Sequence, residues 1–112
     1  MNKLAKKCLF DILYSIDKIE DFLKDTADFA QYQSDDKTKS AVERKLSIIG
    51  EAVNAFRREE KVLKLTHSRQ IVKFRNRLIH VYFSMDDGTV WKLVKNDLPA
   101  LKLEVEQGLK LP

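Results

Sequence analysis

Leu4, Cys8, Ile12, Ile16, Ile19 and Leu23 recur at steps of three or four residues, the spacing that brings side chains onto one face of an α-helix. The same spacing returns in Ala41, Val42, Leu46, Ile49, Val53 and Phe56, and the pairs Ile71-Val72 and Leu78-Ile79, two helical turns apart, share one face as well. With three glycines and two prolines in 112 residues, there is little to interrupt long helices. These facts predict an all-α chain: an antiparallel bundle of four to five helices, with residues 1–112 as a single domain.

The expected elements follow from local signals. A first amphipathic helix covers about residues 2 to 25. Residues 25–34 read as a turn or one-turn helix carrying Phe29 and Tyr32. Ser34 or Asp35 can cap the second long helix, whose free N–H groups a side-chain oxygen satisfies, and that helix runs to about residue 58. Gly50 sits in its middle, where it costs about 1 kcal/mol relative to Ala; the usual reason is the close approach of another helix. A charged connection, Glu59 to Thr66, leads to a third helix from about Ser68 to Tyr82. Met85, Asp86, Asp87 and Gly88 read as a turn, with either aspartate able to cap the last helical region. That region spans Val90 to Leu109 and is expected to bend near Pro99, whose ring crowds the carbonyl four residues earlier.

Composition narrows the chemistry. Hydrophobic residues make up 44% and charged residues 34%, as in a soluble helical globule, and 112 residues give a core that dimerisation would reinforce. The lone Cys8 has no internal disulfide partner, and its apolar stripe predicts a buried thiol. No Cys/His cluster has metal-ligand spacing and no glycine-rich phosphate loop occurs, so no metal or cofactor is expected. No secretion signal or membrane-spanning run is visible: Asp11, Asp17 and Glu20 soon interrupt the first apolar segment. A cytoplasmic location is expected. The net charge of +4 permits a polyanionic partner without demanding one.

The segment that carries chemistry is Phe74-Arg75-Asn76-Arg77-Leu78-Ile79-His80-Val81-Tyr82-Phe83. An arginine offers an always-charged planar fork that suits phosphate, and a histidine takes and gives protons near neutrality. The extended pattern, with Asn after the Arg and Tyr two beyond the His, arises by chance about once in ten thousand chains of this composition. On a helical wheel with Arg75 at 0°, Ile71 falls at about 320°, Val72 at about 60°, Leu78 at about 300° and Ile79 at about 40°. Arg75 is thus centred in the apolar arc, where a lone charge costs several kcal/mol and must find a partner in the core or at an interface. Glu51 is the candidate carboxylate. Tyr82, at about 340°, shares the arc; Asn76 and His80, at about 100° and 140°, form an i, i+4 pair at its edge. Arg77, at about 200°, reads as a solvent-facing surface arginine.

Each of these residues alone is better explained structurally, as a paired core arginine, a satisfied histidine or a packed tyrosine. Their coincidence on one helix favours a site. Arg75 and His80 lie about 140° apart around the helix, which a two-fold dimer with the motif helices face to face would close.

In the run Leu46-Ser47-Ile48-Ile49-Gly50-Glu51-Ala52, the motif Arg75 to Phe83, and the closing Val90-Trp91 with Asp97-Leu98-Pro99, the chain resembles the HepT-like toxins of the HEPN superfamily. Those are small all-helical RNases encoded beside an MntA-like minimal nucleotidyltransferase antitoxin. The resemblance implies a homodimer with Arg75 and His80 as the catalytic pair of a metal-independent endo- or exoribonuclease. Asn76, Glu51 and Tyr82 would support the site or touch RNA, and the substrate would be tRNA or mRNA. It further implies that the nucleotidyltransferase silences the toxin by attaching AMP to Tyr82. Val81 stands where such sequences often have Gly, and the connection before the motif lacks their usual Pro-Trp pair. The alternative expectation is a catalytically silent helical adaptor, or a substrate-binding subunit of the nucleotidyltransferase.

Overall fold

A computed structural model describes the backbone of residues 1–80 and 86–111, and the side chains of these residues other than 78–80. All regular structure among the described residues is helical. The α-helices are α1 (Lys3–Phe22), α2 (Phe29–Ser34), α3 (Asp36–Glu59), α4 (Arg69–His80), α5 (Asp87–Lys92) and α6 (Leu98–Leu109). A 3-10 turn, Thr66–Ser68, leads into α4, and a π-helical turn, Leu93–Asp97, joins α5 to α6 in one continuous rod.

The starts of the first three helices are set locally. The Asn2 side chain accepts from the Ala5 N–H at 2.8 Å, and Asp28 accepts from the Gln31 N–H at 2.9 Å. Of the two candidates for α3, Asp35 is the cap: it accepts from the Thr38 N–H at 3.1 Å and from the Thr38 hydroxyl at 2.7 Å. Those two bonds hold the Asp35 carboxyl below the usual carboxylate range.

α1 and α3 form the spine. Leu9, Ile12, Ile16 and Ile19 meet Val42, Leu46, Ile49, Val53 and Phe56, all of them buried. The pair is antiparallel, since Asn2 at the start of α1 donates to Glu59 at the end of α3 at 3.2 Å. α6 lies antiparallel to α1: Lys102 reaches Asp17 at 3.3 Å and Glu20 at 3.2 Å, while Gly108 sits beside Leu9.

Three expectations are corrected, those for Leu4, for Cys8 and for the turn at residues 85–88. The buried stripe of α1 begins with Ala5 and Leu9; Leu4 is 59% exposed and Cys8 only half-buried. A row of steps of four gains about 40° at each step on a helix of 3.6 residues per turn, so Leu4 and Cys8 have drifted off the face that Ile12 and Ile16 define. The Cys8 thiol is pushed up by partial burial first and by Asp11 second, which makes it a poor nucleophile. Asp87 and Gly88 are helical rather than part of a turn: Asp86 caps α5, accepting from the Thr89 N–H and hydroxyl, both at 3.1 Å. The irregularity expected near Pro99 is a widened turn, in which the Leu98 N–H bonds the Leu93 carbonyl five residues back. Pro99 has no N–H to offer Lys95, and a π turn absorbs the missing bond without ending the rod.

α5 is anchored from two sides. Phe29 and Tyr32 of α2 pack on Trp91, with ring centroids 6.1 Å and 5.3 Å away. Lys39 of α3 binds Asp87 at 3.1 Å, with both side chains largely covered. That contact, chiefly its hydrogen bond, raises the lysine's pKa. Burial, with Asp87 as the second cause, raises the pKa of Glu43.

Candidate functional site

α4 carries the motif, and three contacts from distant parts of the chain fix its position. Its start has no side-chain cap of its own. Instead Glu104 of α6 accepts from the Thr66 N–H at 2.8 Å, the Thr66 hydroxyl at 2.6 Å and the His67 N–H at 2.8 Å. A carboxylate at this end also offsets the positive end of the helix dipole. Arg57 of α3 donates to the Ser68 hydroxyl at 3.2 Å, and that hydroxyl donates to the Leu65 carbonyl at 2.7 Å. The third contact is at Gly50. A Cβ there would lie 2.6 Å from the Cβ of Arg75, 3.1 Å from its Cγ and 3.4 Å from the Ile71 carbonyl. Only glycine lets α3 and α4 approach this closely at the arginine.

Ile71 and Val72 are buried as the wheel requires, Phe74 is buried just outside that arc, and Arg75 emerges among them, 24% exposed. Its Nη2 lies 3.5 Å from Oε1 of Glu51, whose side chain is 57% exposed. This is the pairing expected from sequence. At that distance and exposure it is a weak restraint, of about 0–1 kcal/mol. Arg75 Nε is buried and finds no hydrogen-bond partner among the described residues. The guanidinium is therefore held chiefly by the packing of its stem against Gly50, with the Glu51 carboxylate beside it.

Asn76 is brought to a different place. It is exposed and lines a groove of about 250 Å³ between α4 and the α5–α6 rod, with Gln70, Lys73, Phe74, Arg77, Thr89 and Leu93. Arg77 is exposed as expected, but it forms a wall of this groove rather than open surface. His80 is the last described residue of α4; its side chain, those of Leu78 and Ile79, and Tyr82 lie outside the described residues. The structure thus joins Arg75 to Glu51 and sets Asn76 around the helix from them. Lys73, Thr89 and Leu93 were not singled out from sequence. The i, i+4 spacing of Lys73 and Arg77 was a signal for the first; nothing local marks the other two, which reach the groove through the fold.

The profile of the ribonuclease HepT-like family matches residues 12–108. The chain belongs to that family. It is 38% identical over 111 residues to the "Probable ribonuclease HepT" of Thermococcus cleftensis, covering 96% of this chain and 97% of that protein. It is 41% identical over 106 residues to the "Putative RNase MJ1380" of Methanocaldococcus jannaschii, covering 91% and 94%. A bacterial relative, the "Putative RNase TTE0752" of Caldanaerobacter subterraneus, is 32% identical over 84 residues, 73% of this chain and 74% of its own. No solved structure gives a significant match. Membership fits the helical architecture described above. Among the described residues no group of three or more His, Cys, Asp or Glu side chains could hold a metal ion, and no helix is long and apolar enough to cross a membrane.

Proposed function

We propose that the chain is a metal-independent ribonuclease acting as the toxin of a toxin–antitoxin pair. The observation that carries this reading is Arg75: a cation seated in an apolar seam, made possible by a glycine, and bound among the described residues only by a long contact to Glu51. Its partner in chemistry is His80, on the same helix and within the same motif. The site is completed in a homodimer, where two motif helices supply two arginines and two histidines to one cleft.

The 2′-oxygen of a ribose attacks the adjacent phosphorus as its proton passes to one His80 imidazole. The bond from phosphorus to the 5′-oxygen breaks, and that oxygen takes a proton from the histidine of the two-fold mate. Such acid–base assistance contributes about 10²–10⁴-fold. Arg75 stabilises the charge gathering on the phosphoryl oxygens, and loss of one such donor costs about 10²–10³ in rate. Asn76 orients the histidine or a phosphate oxygen, and Glu51 holds Arg75. DNA lacks the 2′-OH, so cleavage is RNA-selective. AMP attached to Tyr82 by a minimal nucleotidyltransferase antitoxin places a phosphate and an adenine near Arg75, where they occupy the space substrate needs.

The test is cleavage of an RNA oligonucleotide by the purified protein. Arg75→Ala and His80→Ala are each expected to abolish cutting while circular dichroism and light scattering report a folded dimer. Wild-type activity in His80→Ala would remove the catalytic assignment. For the regulatory step, intact-mass measurement after co-expression with the nucleotidyltransferase is expected to show added AMP, absent in Tyr82→Phe.

A further inference from the structure

The 25 residues from Lys61 to Met85 contain no aspartate or glutamate, although the whole chain has 17. Within them α4 holds Arg69, Lys73, Arg75 and Arg77. Elsewhere some surface lysines are neutralised by carboxylates, Lys7 with Asp11, Lys24 with Asp21, Lys39 with Asp36 and Asp87, Lys102 with Asp17 and Glu20, and the others are scattered among acidic neighbours in sequence or, like Lys61 and Lys64, lie in the same acid-free stretch. Among the described residues Arg69, Lys73 and Arg77 have no such partner, and all three are exposed. The nearest carboxylates in sequence are already used, Glu60 in accepting from the Val62 and Leu63 N–H groups, Asp86 in capping α5 and Asp87 in binding Lys39.

At its first position this arrangement works against the helix itself, and Glu104 from α6 is needed to offset the dipole there. A cation in the first turn opposes the helix dipole, and α4 has Arg69 as its first residue and no acidic residue in that turn. A local choice that costs stability in an otherwise consistent fold points to function. Arg69, Lys73 and Arg77 stand at i, i+4 and i+8, at about 120°, 160° and 200° on the wheel, hence in one row. Position 80 shares that face at about 140°. The rise of the helix sets the three cations about 6 Å apart, a step that successive phosphates of an extended strand can follow. Beside the row runs the groove, with the Gln70 and Asn76 amides and Thr89 on its walls and Phe74 and Leu93 providing its apolar part.

We propose that Arg69, Lys73 and Arg77 form the track for the substrate strand: single-stranded RNA lies along α4, with flanking phosphates on the three cations and a base in the groove. The track rests on the ribonuclease reading for the identity of its occupant, and it adds which residues position that strand. These are binding residues, so their loss raises KM and leaves the chemical step intact. The track also implies selection against duplex, since the groove accepts a base only when it is unpaired.

The experiment measures fluorescence anisotropy of a 2′-O-methyl RNA oligonucleotide, which lacks the nucleophile and stays uncut, across a salt series. For single strands, log K falls by about 0.7 per phosphate neutralised for each unit of log salt. The triple variant Arg69→Ala, Lys73→Ala, Arg77→Ala is therefore expected to flatten the slope by about 2 and to weaken binding at least about tenfold at low salt. Lysine at all three positions should restore most of the slope, and Lys6→Ala on α1, equal in charge to one track residue, should leave binding unchanged. With unmodified RNA, the triple variant should raise KM and keep kcat within about threefold. Wild-type slope and affinity in a folded triple variant overturn the track, as does retained RNA affinity with loss of antitoxin binding, which makes the row a protein dock. If the wild type binds through the row but cuts no RNA, the track stands and the ribonuclease reading fails.

Discussion

The two long seams of the molecule are built on different terms. Between α1 and α3 the core of the seam is aliphatic and aromatic: Leu9, Ile12, Ile16 and Ile19 against Leu46, Ile49, Val53 and Phe56, all essentially without exposure. Between α3 and α4 the chain gives up side-chain volume at Gly50 and spends the space on the stem of a charged residue, Arg75. The first seam buries apolar surface at about 25 cal/mol per Å². The second does so through Ile71, Val72 and Phe74 but leaves a buried guanidinium nitrogen without a partner among the described residues. Stability is therefore concentrated in α1–α3, and α4 is held by contacts that fix where its arginine sits.

The sharpest way to test that division is to weaken each seam in turn and measure stability by denaturant unfolding. Leu46→Ala, in the apolar seam, should cost about 2–5 kcal/mol. A loss below about 1 kcal/mol would show that α1–α3 is not the main source of stability. Gly50→Ala should cost less. Its new Cβ meets the Cβ of Arg75, an atom next to the backbone that cannot swing away. Overpacking of about 1–3 kcal/mol is set against a gain in helix propensity of up to about 1 kcal/mol. Activity should fall more than stability, because the displaced residue is Arg75 itself. Gly108 supplies the contrast: a Cβ there meets only the ends of Leu63 and Leu9, at 3.1 Å and 3.2 Å, which can turn aside.

Glu104→Ala removes the three hydrogen bonds at the start of α4 and should cost about 1 kcal/mol. Hydrogen exchange is expected to accelerate at Thr66 and His67 while the α1–α3 amides stay protected; uniform acceleration would mean that the two seams open as one unit. The smallest effect on stability belongs to Arg75→Met. The substitution keeps the stem, removes the unpartnered nitrogen, and loses only a weak pair with Glu51. Stability should stay within about 0.5 kcal/mol or rise, as when buried charges give way to apolar residues, while RNA cleavage disappears. A loss above about 2 kcal/mol would make Arg75 a structural ion pair and merge the two seams into one kind.

Much of the first seam was legible in the chain. Leu46, Ile49, Val53 and Phe56 repeat at helical spacing because a helix that buries one face must place apolar residues there, and Asp35 announces the start of α3 because its oxygens satisfy free N–H groups. The misplacement of Leu4 and Cys8 came from reading a row of fours as a straight face. For the second seam, sequence placed Arg75 in an apolar arc, named Glu51 as its carboxylate and marked Gly50 as a point of close approach, all of which the geometry bears out.

What sequence could not supply is everything that depends on residues far apart in the chain. Glu104 caps a helix that begins 35 residues earlier, at Arg69, and no local pattern pairs the two. Thr89 and Leu93 enter the groove because Lys39 and the Phe29–Tyr32–Trp91 cluster anchor α5 beside α4. Periodicity and capping are properties of a single helix, so the sequence by itself determined the helices, their buried faces and the cation placed within one of them. Which side chains from separate helices meet around that cation depends on how the helices pack, and that only the tertiary structure decided.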